Sequence, residues 1–178
     1  QANDIDNALR LLESTGTPLY LRGHAQSVLN WVQDLPRTTR DAHPRLWMIY
    51  VWTLWITYQS LQAEEKLAQA ERALQAQGDA TRSTSDVQLL EGHIALMRAL
   101  LAANQYQTDI MMREAQRAQE RLPADDIYLQ SILKRTLASA HHLTGRRVEA
   151  LQAYGEAIAL CERTGDIFTN ILATTGLG

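Results

Sequence analysis

The stretch from Leu133 to Gly165, LKRTLASAHHLTGRRVEALQAYGEAIALCERTG, constrains the fold more than any other. Gly145 marks a tight turn between two helical runs. Ala138 on the first run, and Ala150 and Ala157 on the second, are small residues at points where two helices must touch. Tyr154 follows Ala150 by four residues and precedes Ala157 by three, so the three share one helical face. A ring between two alanines fills the space left by close backbone approach. The stretch predicts two antiparallel helices packed along a small–large–small stripe.

The punctuation repeats. Pro36, Gly78, Pro123 and Gly165 fall 42, 45 and 42 residues apart, each closing a helical run. A fixed period of this size predicts stacked helix pairs, each burying its apolar face only against its neighbours. The pairs expected are 4–35, 43–77, 85–122 and 125–164, with a half pair at 166–178. No segment alternates β-branched residues with period two, so no sheet is expected. The small–Gly–Ala–Tyr–Ala pattern resembles the tetratricopeptide (TPR) repeat, and the period exceeds its 34 residues. That resemblance implies an all-α, right-handed superhelix of stacked antiparallel pairs, about nine helices in all.

Taken in order, Asp4 is placed to cap a helix with the stripe Ile5, Ala8, Leu9 and Leu12. Gly16 and Pro18 interrupt it, Leu19 to Leu21 resume it, and Gly23 turns it. The run from His24 to Leu35 points Val28, Leu29, Trp31, Val32 and Leu35 inward, and Pro36 stops it. Arg37 to His43 reads as a polar linker. Pro44 suits the first turn of a helix reaching about Tyr58, which carries Trp47, Trp52 and Trp55. Its partner, about Leu61 to Gln77, places Leu67, Ala70, Ala73 and Leu74 on one face. Gly78 to Ser85 reads as the longest loop, with Ser85 and Gln88 spaced as a capping box. In the third pair, about 86–104 and 106–122, the small-residue pattern degenerates, with Asp109 and Met111 near an expected alanine. Met111 and Met112 would fill the looser joint. Asp125 or Asp126 caps the fourth pair. The apolar run from Ile167 reads as the first helix of a fifth pair, which leaves an apolar face open.

Composition excludes several classes. The net charge is -3 and no basic stripe is present, against a nucleic-acid contact by this chain. Leu46 to Ala63 holds 18 residues without a charge. Its last six are polar or small, so it reads as a buried core helix and not a membrane span. One cysteine, Cys161, rules out an internal disulfide framework and suits a reducing, cytoplasmic setting. Cys161 shares a stripe with Val148, Leu151, Tyr154 and Ile158 and reads as a buried hydrophobe. The chain is expected to be a fragment of a longer intracellular protein.

Arg22-Gly23, Leu29, Trp31, Leu35-Pro36, Pro44-Arg45-Leu46, Val51-Trp52 and Ala63 through Ala73-Leu74 fall in an order of their own. That run resembles the TPR-like sensor region of the MalT-like branch of LuxR-family transcription regulators. The resemblance implies a nucleotide-binding module before this region and a helix-turn-helix domain after it. It implies that the region itself binds a small-molecule effector or a regulatory protein and biases self-association. This chain holds no GxxxxGK[ST] loop, and no cofactor is expected in it.

Candidate binding residues come from the template register. Arg135, Ser139 and His142 line the concave side of the fourth pair, with Arg98 the nearest equivalent in the third. Matching Leu54 to Ala138 adds Trp55 and Tyr58. Two arginines along one groove suit a carboxylate or phosphate. The tryptophan-rich helix could also form an apolar cage, although a core helix packed on both sides has the same signature. His141 and His142 point about 100° apart on a helix, and no Cys or carboxylate stands at i+4, so no metal site is expected. No Ser-His-Asp set or convergent carboxylate pair assembles from local spacing, so no enzymatic site is expected. The alternative to a sensor region is a TPR adaptor that gathers peptides or proteins.

Overall fold

The computed structural model describes residues 7, 24–76 and 84–177. Among them stand nine α-helices: α1 (Ala25–Asp34), α2 (Arg37–Ala42), α3 (Pro44–Ile56), α4 (Ser60–Ala76), α5 (Thr84–Asn104), α6 (Thr108–Arg121), α7 (Ile127–Leu143), α8 (Arg147–Thr164) and α9 (Ile167–Leu177). They pack as sequential antiparallel pairs. The chain divides into two compact units, Gln1–Leu90 and Glu91–Gly178. The expected helix and turn between Asp4 and Gly23, and most of the loop from Gly78, lie outside the described residues.

Within the first unit, α3 is the centre. Pro44 opens it, and Leu46 through Leu54 are all buried. Such a helix has no polar face and must be covered on every side. Val28, Leu29 and Val32 of α1 cover part of it, and Ala63, Leu67, Ala70 and Ala73 of α4 another part. The stretch read as a polar linker forms the short helix α2. Its side chains explain why. Arg40 Nη1 donates to the Val32 and Gln33 carbonyls at 2.8 and 3.3 Å, satisfying the open C-terminal end of α1. The same guanidinium lies 4.9 Å above the Trp47 ring and 5.7 Å from that of Tyr50. Trp47 Nε1 donates to Asp41 at 3.0 Å. These are tertiary grips, invisible to local propensity.

The second unit begins within α5. Arg121 Nε donates to Glu91 at 2.8 Å, while Ala102 packs with Met111 at the other end, so α5 and α6 run antiparallel. Gly92 allows the approach: a Cβ there would meet Leu122 Cδ2 at 2.8 Å. α7 and α8 form the next pair, tied by Lys134 Nζ to Glu156 at 2.7 Å. Ala138, Ala150, Tyr154, Ala157 and Ala173 of α9 form one buried cluster. The template stripe is therefore the buried one. Val148 and Leu151 are exposed, contrary to the stripe drawn through Cys161. Small residues, not branched ones, set which side of α8 comes close to its neighbours. The start of α5, where Ser85 and Gln88 are expected to form a capping box, borders residues outside those described.

One turn recurs. Tyr58, Tyr106, Gly145 and Gly165 each follow a helix with positive φ, between 56° and 76°. At all four the next N–H reaches back to the residue five before it: Gln59 to Leu54, Gln107 to Ala102, Arg146 to His141 and Asp166 to Cys161. This is the Schellman closure of a helix end. Tyrosine in this conformation costs roughly 1–2 kcal/mol more than glycine. Tyr58 is 85% exposed and Tyr106 78%, so neither ring gains much packing in return. Tyr58→Gly and Tyr106→Gly are each expected to raise stability by about 1 kcal/mol. Chemical denaturation of the single variants checks this, and a loss of stability would refute it.

The turns also fix the repeat register. Counting from Tyr58, Tyr106 and Gly145, the stripe Ala150–Tyr154–Ala157 matches Ala63–Leu67–Ala70 in α4 and Met111–Ala115–Ala118 in α6. All nine residues are buried. In α6 the large side chain has moved to the first position and the middle one has become small. That is the physical content of the degenerate third pair.

Candidate functional site

The sequence candidates separate in the structure. Tyr58 is not on a helix face, because α3 ends at Ile56 and Tyr58 occupies the turn position of Gly145. By the turn register Val51, not Leu54, matches Ala138, and Trp55 matches His142. Trp55 is half-buried with its ring edge-on to Trp52, centroids 5.9 Å apart at 87°. Trp47 and Trp52 are core. Arg98 stands eight residues before Tyr106, where the fourth pair has Leu137 before Gly145; Leu96 holds the place of Arg135. His142 is exposed, one turn beyond Ser139.

Arg135 and Ser139 do come together, and they recruit groups that the sequence did not nominate. Ser139 Oγ donates to the Arg135 carbonyl at 3.1 Å and lies 3.2 Å from the Tyr154 hydroxyl. Tyr154 reads as packing from its stripe, but its hydroxyl reaches the first helix of the pair. Arg135 is partly buried and makes no ion pair or side-chain hydrogen bond among the described residues. Burial pushes its guanidinium below the ordinary arginine range. The nearby Tyr154, Asp166 and Cys161 oppose the shift. Asp166 lies outside ion-pair distance of Arg135. Its Oδ1 caps α9 by accepting from Thr169 N at 3.0 Å, while its buried Oδ2 has no partner. Its position directly after Gly165 is the sequence signal for that cap.

Other ionisable groups are committed to structure. Glu114 is buried in α6 and bound by Arg113 at 3.2 Å and Arg117 at 2.9 Å. Cys161 is buried, and burial raises its thiol, which disfavours the nucleophilic thiolate. Among the described residues, no three His, Cys, Asp or Glu side chains are placed to share a metal ion. No helix among them is long and apolar enough to cross a membrane.

Two groups give this unit an acid-sensitive stability. The Lys134 ammonium and the Gln152 amide hold the Glu156 carboxyl below its ordinary value of 4.5. Burial, helped by Arg146, holds His141 below 6.5, and its Nδ1 is buried without a partner. In both cases the unfolded chain binds the proton more tightly. The stabilisation is complete above the unfolded value and fades as pH falls through the folded one. Stability is therefore expected to decline first below about pH 6.5 and again below about 4.5. His141→Gln should flatten the first step and Lys134→Gln the second, as read from denaturation midpoints against pH.

No protein-family model matches this chain, and neither the curated proteins nor the solved structures provide a match.

Proposed function

We propose that this chain is a non-catalytic sensor region, a TPR-like right-handed superhelix of the kind found in MalT-like LuxR-family regulators. Its groove along α7 binds the acidic group of a small-molecule effector. The nucleotide-binding and DNA-binding domains of such a regulator lie outside this chain. The observation that carries the ligand reading is Arg135. A partly buried guanidinium with no acceptor pays a desolvation penalty that an anion would relieve. Ser139 and the Tyr154 hydroxyl stand beside it to orient a second oxygen. An adaptor that gathers proteins is the second reading, favoured by the apolar outer face of α9.

The test is a thermal-shift screen of carboxylate and phosphate metabolites. A ligand present at 100 times its Kd stabilises the folded state by ~2.7 kcal/mol. Arg135→Ala should keep or slightly raise the unliganded melting point, because it removes a partly buried charge that makes no ion pair. It should weaken an anionic hit by about tenfold or more, since a charge-assisted hydrogen bond contributes ~1.5–3 kcal/mol. A large loss of unliganded stability would make Arg135 structural, and unchanged affinity would place the ligand elsewhere.

A further inference from the structure

The first turns of α7 and α9 are the same piece of structure, 40 residues apart. Asp126 caps α7 by accepting from Leu129 N at 3.0 Å, and Asp166 caps α9 by accepting from Thr169 N at 3.0 Å. An isoleucine and an aromatic residue follow each cap: Ile127-Tyr128 and Ile167-Phe168. Leu129 and Thr169 turn to the buried side, and so, one turn on, do Leu133 and Ala173. The two helices therefore share a register.

They differ on the adjoining strip. On α7, Ser131 is 0% exposed and Ile132 is buried beside it. There the strip lies under α8, with the buried Cys161 beside Ser131. On α9 the matching Ile171 is 56% exposed, and Phe168 and Leu172 are also open. The uncovered strip is thus more apolar than the covered one. It adjoins a cavity of about 300 Å³ at the α8–α9 elbow, lined by Cys161, Ile167 and Ile171 among others.

We propose that this face of α9 docks one antiparallel amphipathic helix of the α8 type, seated as α8 sits on α7. The chemistry of the occupant follows from shape. The second helices of the pairs each bring alanines to the contact: Ala63 and Ala70, Ala115 and Ala118, Ala150 and Ala157. The first two turns of the open strip of α9 carry four large side chains, Ile167, Phe168, Ile171 and Leu172. Two such strips from two copies would meet bulk against bulk. A helix with small residues in its stripe lets the backbones approach and the large side chains fill the gaps. This surface is independent of the Arg135 ligand reading.

A fluorescent peptide of α8 sequence, Arg146–Gly165, stapled across Leu151 and Gly155 to fix the helix, tests the proposal on the full chain. Both staple positions are exposed in α8. Anisotropy should show saturable binding that Ile171→Asp weakens by at least about tenfold, while Leu61→Asp, exposed on α4, leaves it unchanged. A peptide in which leucine replaces both Ala150 and Ala157 should bind as poorly. Ile171 is exposed, so its variant should melt like the parent, which circular dichroism verifies. Absence of binding, or equal binding by Ile171→Asp, overturns the proposal. So does a dimer in sedimentation that Ile171→Asp disperses, because the face would then belong to a second copy.

Discussion

Gly176→Ala is expected to loosen α9 from α8 and to lower stability, although alanine is the better helix former. A Cβ at position 176 would lie 2.3 Å from Tyr154 Cζ and 2.5 Å from the Tyr154 hydroxyl oxygen. The ring has little freedom to retreat. It is buried among Ala138, Ala150, Ala157 and Ala173, and its hydroxyl is held at 3.2 Å from Ser139. Either α9 must slide or its last turn must unwind. Overpacking of this kind costs ~1–3 kcal/mol, against a helix-propensity gain of ~1 kcal/mol. Gly155→Ala is the matched control. Gly155 lies on the exposed side of α8 with nothing within 4 Å of a new Cβ, so the same chemical change there should stabilise by up to ~1 kcal/mol. Opposite signs for the two variants in thermal denaturation are the expected result. Equal stabilisation by both would mean that α9 does not dock through Gly176.

Ala157→Phe should have the larger effect. Ala157 is completely buried in the cluster that joins α7, α8 and α9. A benzyl group there must displace Tyr154 or drive the helices apart, because Ala157 is already fully covered by its neighbours. The expected loss is ~3 kcal/mol or more, toward the upper end for overpacked cores. Because the same residue supports α9, near-ultraviolet circular dichroism should weaken together with the melting point. A parental melting curve would show that the alanine stripe is not a helix contact.

The stripe around Tyr154 was legible because its cause is local and steric. Two helices can approach closely only where side chains are small, and that requirement is written as alanines at helical spacing. The turns were legible only where glycine carries them. Gly145 and Gly165 announce a left-handed residue, while Tyr58 and Tyr106 adopt the same φ without any matching preference. Reading Tyr58 as helical placed Leu54, not Val51, opposite Ala138, three residues out of step with the turns. Helix α2 escaped notice because Arg40 and Asp41 hold it to α1 and to Trp47, contacts that no propensity encodes. At the site, Arg135 and Ser139 followed from periodicity. The Tyr154 hydroxyl and the Asp166 carboxylate join them only once α8 and α9 have packed against α7.

The exchange between Ala150–Tyr154–Ala157 and Met111–Ala115–Ala118 has a consequence for which substitutions such a joint accepts. What the two pairs keep constant is a filled joint, and the bulk that fills it can pass from one turn of helix to the next. A methionine gained at the first position tolerates the loss of a ring at the second, whereas either change alone would leave a clash or a hole. Two pairs can therefore keep one joint filled while differing at two of the three positions that fill it.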